Sequence, residues 1–102
     1  MGKYVFAYKG GGMAATQEER DTQMARWGAW FGELGSALVD GGAPFAGSAA
    51  VRSGGGNGAA GSGLTGYSVV TAGSLDEAVG IAGGCPILDS GGSVDVYETI
   101  EM

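Results

Sequence analysis

The alternation of apolar and polar residues predicts four strands. Residues 3–9, KYVFAYK, are mostly aromatic and β-branched and end at three glycines, a pattern typical of a strand. Residues 64–72, LTGYSVVTA, have the same character, and residues 93–101, SVDVYETIE, alternate as a half-buried strand does. Residues 46–52, AGSAAVR, are a weaker fourth candidate.

The spacing of apolar residues between positions 16 and 38 predicts the first helix. They recur every three or four residues and form one stripe: Met24, Trp27, Phe31, Leu34 and Leu38. Thr16 and Glu19 match the capping box that begins a helix. Trp27 lies within the stripe and is predicted to be in the core. Trp30 lies at the edge of the stripe, where the alternative to core packing is the wall of a pocket or a contact with a second subunit.

A second capping box predicts a second, shorter helix. Ser74 is followed three residues later by Glu77, and residues 75–83 then carry apolar side chains at helical spacing. The inner face of this helix is predicted to consist of Leu75, Ala78, Val79 and Ala82.

Glycine is unusually frequent, with 23 of 102 residues, and it clusters between the predicted elements, where it indicates turns. Residues 53–63 are almost entirely Gly, Ser, Ala and Asn, which predicts a flexible loop. Gly28, Gly32 and Gly35 fall inside the first helix, where each weakens the helix by about 1 kcal/mol relative to alanine. We therefore expect the helix to lie close against another backbone at these positions.

The order of these elements, β-α-β-β-α-β, predicts an α+β fold of the ferredoxin-like type in a single domain covering residues 1–102. In this fold a four-stranded antiparallel sheet carries both helices on one face. Apolar residues of the strands populate both faces: Tyr4 or Val5, Phe6, Tyr8, Val69 and Tyr97. We expect a second copy of the chain to cover the other face, which gives a homodimer built as a dimeric α+β barrel.

The charge of the chain limits the class of partner. Its net charge is −6, and its basic residues are scattered: Lys3, Lys9, Arg20, Arg26 and Arg52. They are too few to bind nucleic acid or an anionic membrane surface. No apolar run approaches the ~20 residues of a membrane span, and no basic region followed by an apolar stretch opens the sequence. A single cysteine forms no internal disulfide, which predicts a cytoplasmic location.

Four segments of the chain resemble the YCII-related family, including its DGPF-type branch. They are the opening strand YVFAYKG, the helix EERDTQMARWGAWFGELGSALVDGG, the segment GYSVVTAGSLDEAV and the closing GCPILDSGGSVDVYE. The likeness spans almost the whole chain apart from residues 53–63. It implies a small homodimer with ferredoxin-like subunits, in a family of mostly unknown activity. In some members it also implies a His–carboxylate acid–base pair in a cleft.

The chain departs from this family where an imidazole is expected. By spacing, the histidine of the first helix corresponds to Met24, and Ile-Leu at residues 87–88 stands where other members carry a histidine. The chain contains no histidine, so the His–carboxylate mechanism implied by the resemblance cannot operate. The carboxylate of that pair corresponds to Glu33 or Asp40, and these two are the candidate catalytic residues.

Cys85 could also act as a catalytic nucleophile, but the sequence argues against that role. A catalytic cysteine needs its thiolate form, which a basic neighbour, a helix N-terminus or a metal favours. Cys85 instead follows the second helix, near its negative end, and Pro86 stops that helix. We predict a small, semi-buried structural residue. One cysteine without histidine also makes a zinc site implausible, so we predict no metal and no cofactor.

Six residues are predicted to line a ligand pocket beside the first helix: Tyr8, Arg26, Trp27, Trp30, Asp40 and Tyr97. Asp40 has an alternative role as a turn former that binds nearby backbone amides. Three functional hypotheses remain open. The first is a small-molecule binding or accessory protein. The second is an enzyme with Asp40 or Glu33 as its general base, and the third is a dimerisation or interaction module linked to transcription regulation.

Overall fold

The computed structural model describes residues 2–10, 16–56, 58 and 63–100 of the chain. Within these residues the elements follow one another as β-α-β-β-α-β. Their bounds are β1 Gly2–Lys9, α1 Gln17–Leu34, β2 Leu38–Asp40, β3 Leu64–Ala72, α2 Leu75–Ala82 and β4 Ser93–Glu98. Short 3₁₀ helices, Gly35–Ala37 and Pro86–Ser90, come after α1 and α2 respectively.

The four strands form one sheet in the order β2-β3-β1-β4, and all neighbouring strands are antiparallel. In the central strand β1, Phe6 lies opposite Ser68 of β3 and Val96 of β4. Residues directly opposite one another in antiparallel strands share a face of the sheet, so this register assigns the strand residues to two faces. The predicted α+β class with an antiparallel sheet is confirmed.

Both predicted helix starts are confirmed. The amide of Glu19 donates a hydrogen bond to Thr16 Oγ1 at 3.1 Å, and the amide of Glu77 donates to Ser74 Oγ at 3.1 Å. The carboxylate of Glu77 also accepts a hydrogen bond from the amide of Gly73 at 3.0 Å. These bonds satisfy amides that the start of a helix would otherwise leave without a partner.

The predicted end of α1 near Leu38 is wrong, because the helix stops at Leu34. Gly35 has a φ of 53°, in the left-handed region, and its amide donates back to the carbonyl of Phe31. Glycine adopts this conformation without the steric penalty of a Cβ, so the helix ends here. Leu38–Asp40, which begin where the helix was predicted to end, form β2 on the edge of β3.

The predicted strand at residues 46–52 is also wrong. In that segment the structure shows one isolated bridge, between Ala50 and Gly58, and β2 lies before it. Pairing with β3, rather than local composition, therefore decides where the second strand forms. Of the predicted flexible loop, residues 57 and 59–62 lie outside the described part of the chain.

The core lies on the face of the sheet that carries Tyr4, Phe6 and Tyr8 of β1. The ring of Trp30 stacks on Phe6, with ring centroids 6.3 Å apart. Trp30 is buried, whereas Trp27 is half-buried, so the predicted roles of the two tryptophans are reversed. The apolar stripe identified the side of α1 that faces the sheet, but it did not show that Trp30, at the edge of the stripe, is the more deeply buried of the two tryptophans.

The helix α2 contacts the core through two alanines. Ala78 is fully buried and Ala82 nearly so. Leu75 and Val79, also predicted to face inward, are instead 41 % and 53 % exposed. The small alanine side chains let α2 lie close to the sheet. The sheet therefore covers only a narrow strip of the helix, and the larger side chains on either side of that strip stay partly exposed.

The second face of the sheet carries apolar side chains that are only partly shielded. Val5 lies opposite Val69 of β3 and Tyr97 of β4, and Tyr97 is 56 % exposed. An ion pair between Lys9 Nζ and Asp95 Oδ2, 2.9 Å long, lies toward one end of this face. We call this surface the open face, with the apolar members Val5, Ala7, Tyr67, Val69 and Tyr97.

The close packing expected at the glycines of the first helix is not observed. A Cβ added at Gly28, Gly32 or Gly35 would meet no atom within 4 Å. Gly42, in the turn after β2, is different: its φ is 73°, and an added Cβ would overlap the carbonyl oxygen of Tyr67. The tight backbone approach therefore lies in this turn and not along α1.

We expect alanine substitutions at two glycines to change stability in opposite directions. Gly32→Ala removes an exposed helical glycine from open space, so it should raise the free energy of unfolding by about 0.5–1 kcal/mol. Gly42→Ala should lower it by about 1–3 kcal/mol, because the new Cβ meets backbone in a left-handed conformation. Urea unfolding followed by circular dichroism measures both. Loss of stability in Gly32→Ala, or none in Gly42→Ala, would contradict this packing.

Candidate functional site

A cleft of about 590 Å³ lies between α1 and the adjoining ends of β1 and β3. The turn after β2, residues 41–44, forms its other wall, and the 3₁₀ helix Pro86–Ser90 contributes to one end. The larger apolar residues that line it are Met24, Trp27, Phe31, Pro44, Tyr67 and Ile87. A concave, mostly apolar site of this size suits a small organic molecule.

The turn after β2 is fixed by hydrogen bonds to backbone amides. Asp40 Oδ1 accepts a hydrogen bond from the amide of Gly42 at 2.8 Å, and the carbonyl of Ala43 accepts one from the amide of Tyr67 at 3.4 Å. These bonds hold the turn against β3, and the missing Cβ of Gly42 permits the close approach. The alternative role considered for Asp40, that of a turn former, is the one the structure shows.

Trp27 is the centre of an aromatic cluster on the α1 side of the cleft. Its indole meets the ring of Tyr8 edge-on, with centroids 5.1 Å apart, and lies 5.7 Å from the ring of Phe31. It also meets Trp30 edge-on at 5.8 Å. Edge-to-face pairs are favourable beyond the area they bury and hold rings in defined orientations. Trp27 therefore presents a preformed apolar surface to the cleft.

Tyr8 carries a buried hydroxyl that makes no hydrogen bond with the described residues. Tyr8 lines the cleft, and the whole residue is 5 % exposed. Burial raises the pKa of its phenol, and the neighbouring Ser68 hydroxyl opposes that rise in part without reaching hydrogen-bond geometry. Ser68 Oγ donates its own proton to the carbonyl of Gly41 at 2.8 Å. The phenol therefore stays neutral near pH 7, with a proton to donate.

The other polar side chains at the cleft are uncharged: Gln23, Thr65, Ser68 and Ser90. The hydroxyl of Thr65 donates to the backbone carbonyl of Tyr8 at 3.2 Å, which ties β3 to β1 at the cleft. Among the residues that the structure describes, no charged side chain lines the cleft. A charged group placed there would lose hydration without gaining a counter-charge, which is costly.

Two of the six predicted pocket residues, Tyr8 and Trp27, line the cleft. Trp30 lies behind it in the core. Arg26 does not line it, and its Nη1 lies 3.5 Å from Asp89 Oδ2 in an exposed ion pair. Exposed pairs of this kind contribute little to stability.

The remaining two predicted pocket residues, Asp40 and Tyr97, lie on the other side of the sheet. Asp40 is opposite Val69 and Tyr97 is opposite Val5, so the register places both on the open face. Glu33, the other candidate base, is exposed on α1, and neither Glu33 nor Asp40 lines the cleft. The predicted pocket combined residues from two faces because the strand register does not follow from local sequence.

Sequence reasoning missed several residues of the cleft, and Ser68 is the one that carried a signal. Ser68 lies midway between Gly66 and Val70 in β3, at a core-facing position where a hydroxyl must find a partner inside the protein. The turn at residues 41–44 contributes mostly backbone. The position of this turn depends on its pairing with β3, so its amino-acid composition did not indicate that it lines a cleft.

Cys85 is buried at the junction after α2, where the sequence predicts a structural residue. It is 3 % exposed and lies at the start of the 3₁₀ helix Pro86–Ser90. Burial raises its pKa from 9.0 to about 11. The reactive form of cysteine is the thiolate, and at this pKa the thiol is protonated near neutral pH.

A second concavity lies between α2 and the edge strand β4. It contains the exposed side chains of Leu75 and Val79 together with Leu88 and Tyr97. The unpaired buried hydroxyl found in the described residues belongs to Tyr8 and not to this concavity. We therefore place the candidate ligand site in the aromatic cleft.

Comparisons with known proteins give no independent indication of function. No protein-family model, no curated protein and no solved structure matches this chain. Among the described residues, no three side chains of the metal-ligating types come together. None of the described helices has the length and apolar character needed to cross a membrane. The function is therefore inferred from the geometry of the cleft.

We expect ionisation of Cys85 to destabilise the fold at alkaline pH. The folded state holds the thiol proton more tightly than the unfolded chain, so this contribution is complete below about pH 9 and is lost as the pH rises through about 11. Cys85→Ala should lose about 2 kcal/mol less of its free energy of unfolding between these pH values than the unsubstituted protein. Guanidinium unfolding at each pH measures the difference.

The comparison isolates the thiol because Tyr8, whose phenol pKa is also raised by burial, titrates in both proteins. An equal alkaline loss in Cys85→Ala and in the unsubstituted protein would show that the thiol is not the group responsible.

Proposed function

We propose that this protein binds a small molecule in the aromatic cleft and acts as a binding or accessory protein. The observation that carries the proposal is the preformed cleft of about 590 Å³, one side of which is built of aromatic rings held in edge-to-face and tilted contacts. A preformed apolar site needs little ordering when a ligand enters, so most of the burial energy is available for binding.

The alternative of an enzyme with a carboxylate base has less support. A general base must come within hydrogen-bond reach of the proton that it removes. Asp40 is bonded to the amide of Gly42 on the other side of the sheet, and Glu33 is exposed outside the cleft. Tyr8 and Cys85 have raised pKa values and stay protonated near neutral pH, so neither is available to remove a proton from a substrate.

Gly28 provides a way to test the cleft. It lies on the α1 wall of the cleft, and an added Cβ would have nothing within 4 Å. A leucine there would project into the cleft, and leucine also forms helices better than glycine does. Gly32, one turn further along α1, is equally open but does not line the cleft. Gly32→Leu is therefore a matched control.

We expect Gly28→Leu to weaken binding by at least about tenfold while Gly32→Leu leaves it unchanged, because only the first substitution fills the cleft. A thermal-shift screen of small aromatic compounds identifies ligands of the unsubstituted protein, and isothermal titration calorimetry then compares the three proteins. If no compound stabilises the unsubstituted protein, or if Gly28→Leu binds equally well, the cleft is not the binding site that we propose.

We further propose that the subunit is ferredoxin-like and that two subunits pair through their open faces into a dimeric α+β barrel, as the resemblance to the YCII-related family implies. The strand order β2-β3-β1-β4 and the partly exposed apolar residues of the open face support this. Among the described residues the charges on that face also balance, since the register places two lysines and two aspartates there: Lys3, Lys9, Asp40 and Asp95. Two such faces meet without the repulsion that a net charge of −6 would otherwise impose.

We expect Tyr97→Lys to raise the dissociation constant of the dimer by at least about tenfold, because it places a charge in the apolar part of the interface. Tyr97 is 56 % exposed in the single subunit, so the substitution should leave the fold intact. Val51→Lys, at a position 85 % exposed and outside the sheet, is the control. Sedimentation velocity over micromolar concentrations gives the answer, and an unsubstituted protein that sediments as a monomer rules out the paired sheets.

The hypothesis of an interaction module linked to transcription regulation relies on the open face alone. It predicts a dimer whose cleft binds nothing, so the two experiments above distinguish it from a ligand-binding protein. The cytoplasmic location expected from the single cysteine stays a prediction.

A further inference from the structure

The hydroxyl of Tyr8 is a hydrogen-bond donor that folding has buried without an acceptor from the described residues. Tyr8 is 5 % exposed, and its ring is part of the lining of the cleft. A buried donor that stays unpaired costs free energy, and most such groups in proteins have a partner. The phenylalanine ring would fill the same space without that cost, so the hydroxyl is a feature of the cleft that packing does not explain.

The neighbouring side chains of Tyr8 do not provide an acceptor for its hydroxyl, so we expect the acceptor to come from a molecule in the cleft. Ser68 is the neighbouring hydroxyl; its own proton is donated to the carbonyl of Gly41 at 2.8 Å, and its oxygen does not reach hydrogen-bond geometry with the phenol. The indole of Trp27 covers the ring of Tyr8 edge-on at 5.1 Å and offers no acceptor in its plane. Both Ser68 and Trp27 also line the cleft, so a molecule in the cleft lies beside the phenol.

The charge around the cleft limits what that acceptor is. No charged side chain of the described residues lines the cleft, and the chain as a whole carries a net charge of −6. A carboxylate or phosphate would therefore lose its hydration without a counter-charge, within an overall repulsive field. An uncharged acceptor, such as a carbonyl or ether oxygen, satisfies the phenol without that penalty.

We propose that the cleft binds a neutral aromatic molecule whose carbonyl or comparable oxygen accepts a hydrogen bond from Tyr8 Oη, while its apolar body packs between Trp27 and the turn at residues 41–44. This inference rests on the proposed binding function of the cleft and names the class of ligand. It assigns Tyr8 the role of setting specificity, and Trp27 that of supplying affinity.

The test compares three naphthalene derivatives of similar size: acetylnaphthalene, which has a neutral acceptor, ethylnaphthalene, which has none, and naphthoate, which is charged. The unsubstituted protein should bind the ketone roughly tenfold more tightly than the hydrocarbon and more tightly than naphthoate. In Tyr8→Phe this preference should fall to about one, with binding of the hydrocarbon unchanged. Tyr97→Phe is the matched control, because Tyr97 lies on the open face and does not line the cleft, and it should keep the preference.

The carbonyl stretching band of bound acetylnaphthalene gives a second measurement that needs no variant. A hydrogen bond from Tyr8 should lower its frequency relative to the ketone in a dry hydrocarbon solvent. The melting temperature of ligand-free Tyr8→Phe should equal or exceed that of the unsubstituted protein, because the substitution removes an unpaired buried donor.

The outcomes separate this inference from the proposed function. If the neutral compounds bind, Gly28→Leu excludes them, and Tyr8→Phe keeps the preference for the ketone, the binding function stands and the role of Tyr8 is wrong. If naphthoate binds more tightly than the two neutral compounds, the binding function also stands, but the proposal that the ligand is uncharged is wrong. If none of the three compounds binds and the wider screen finds no ligand, the binding function fails and this inference fails with it.

Discussion

The contact between Trp30 and Phe6 determines how the helical layer sits on the sheet. Trp30 alone among the described residues of α1 is buried, and the half-buried side chains of Trp27, Phe31 and Leu34 pack against the core beside it. The indole fits beside α2 because Gly84 has no side chain: a Cβ added there would lie 3.2 Å from its Nε1 atom. The first turns of α1, residues 17–22, are exposed throughout. Trp27 lines the space left between helix and sheet, so the core and the cleft arise from the same packing of α1.

Features that depend on neighbouring residues were predictable from the sequence, and features that depend on distant contacts were not. The helix starts at Thr16 and Ser74 were predictable because each cap bonds an amide only three residues away. The strand at residues 38–40 was missed because it is three residues long and becomes a strand by pairing with β3. Trp27 and Trp30 are close in direction around the helix axis, so periodicity alone did not decide which of them meets the sheet.

The candidate site was predictable to a similar extent. Tyr8 and Trp27 were identified because both are large aromatic residues, one on the first strand and one in the apolar stripe of the first helix, which is expected to pack on the sheet. Asp40 and Tyr97 were assigned to the wrong side because their face depends on a strand register that only pairing determines. Gly28, which lines the cleft, was predicted to mark a close contact between α1 and another backbone. A glycine looks the same in the sequence whether it allows such a contact or leaves an open cavity.

The different surroundings of the two tryptophans have an optical consequence. Trp30 lies in a dry interior, whereas Trp27 is half-buried beside the cleft, and the chain contains no other indole. Indole emission moves to longer wavelengths as its surroundings become more polar, so the two fluorophores contribute at different ends of the spectrum. Emission recorded at the long-wavelength edge of the spectrum is weighted towards Trp27, which makes filling of the cleft visible without a label. Unfolding moves both emissions, so occupancy and loss of structure have separate spectral signatures.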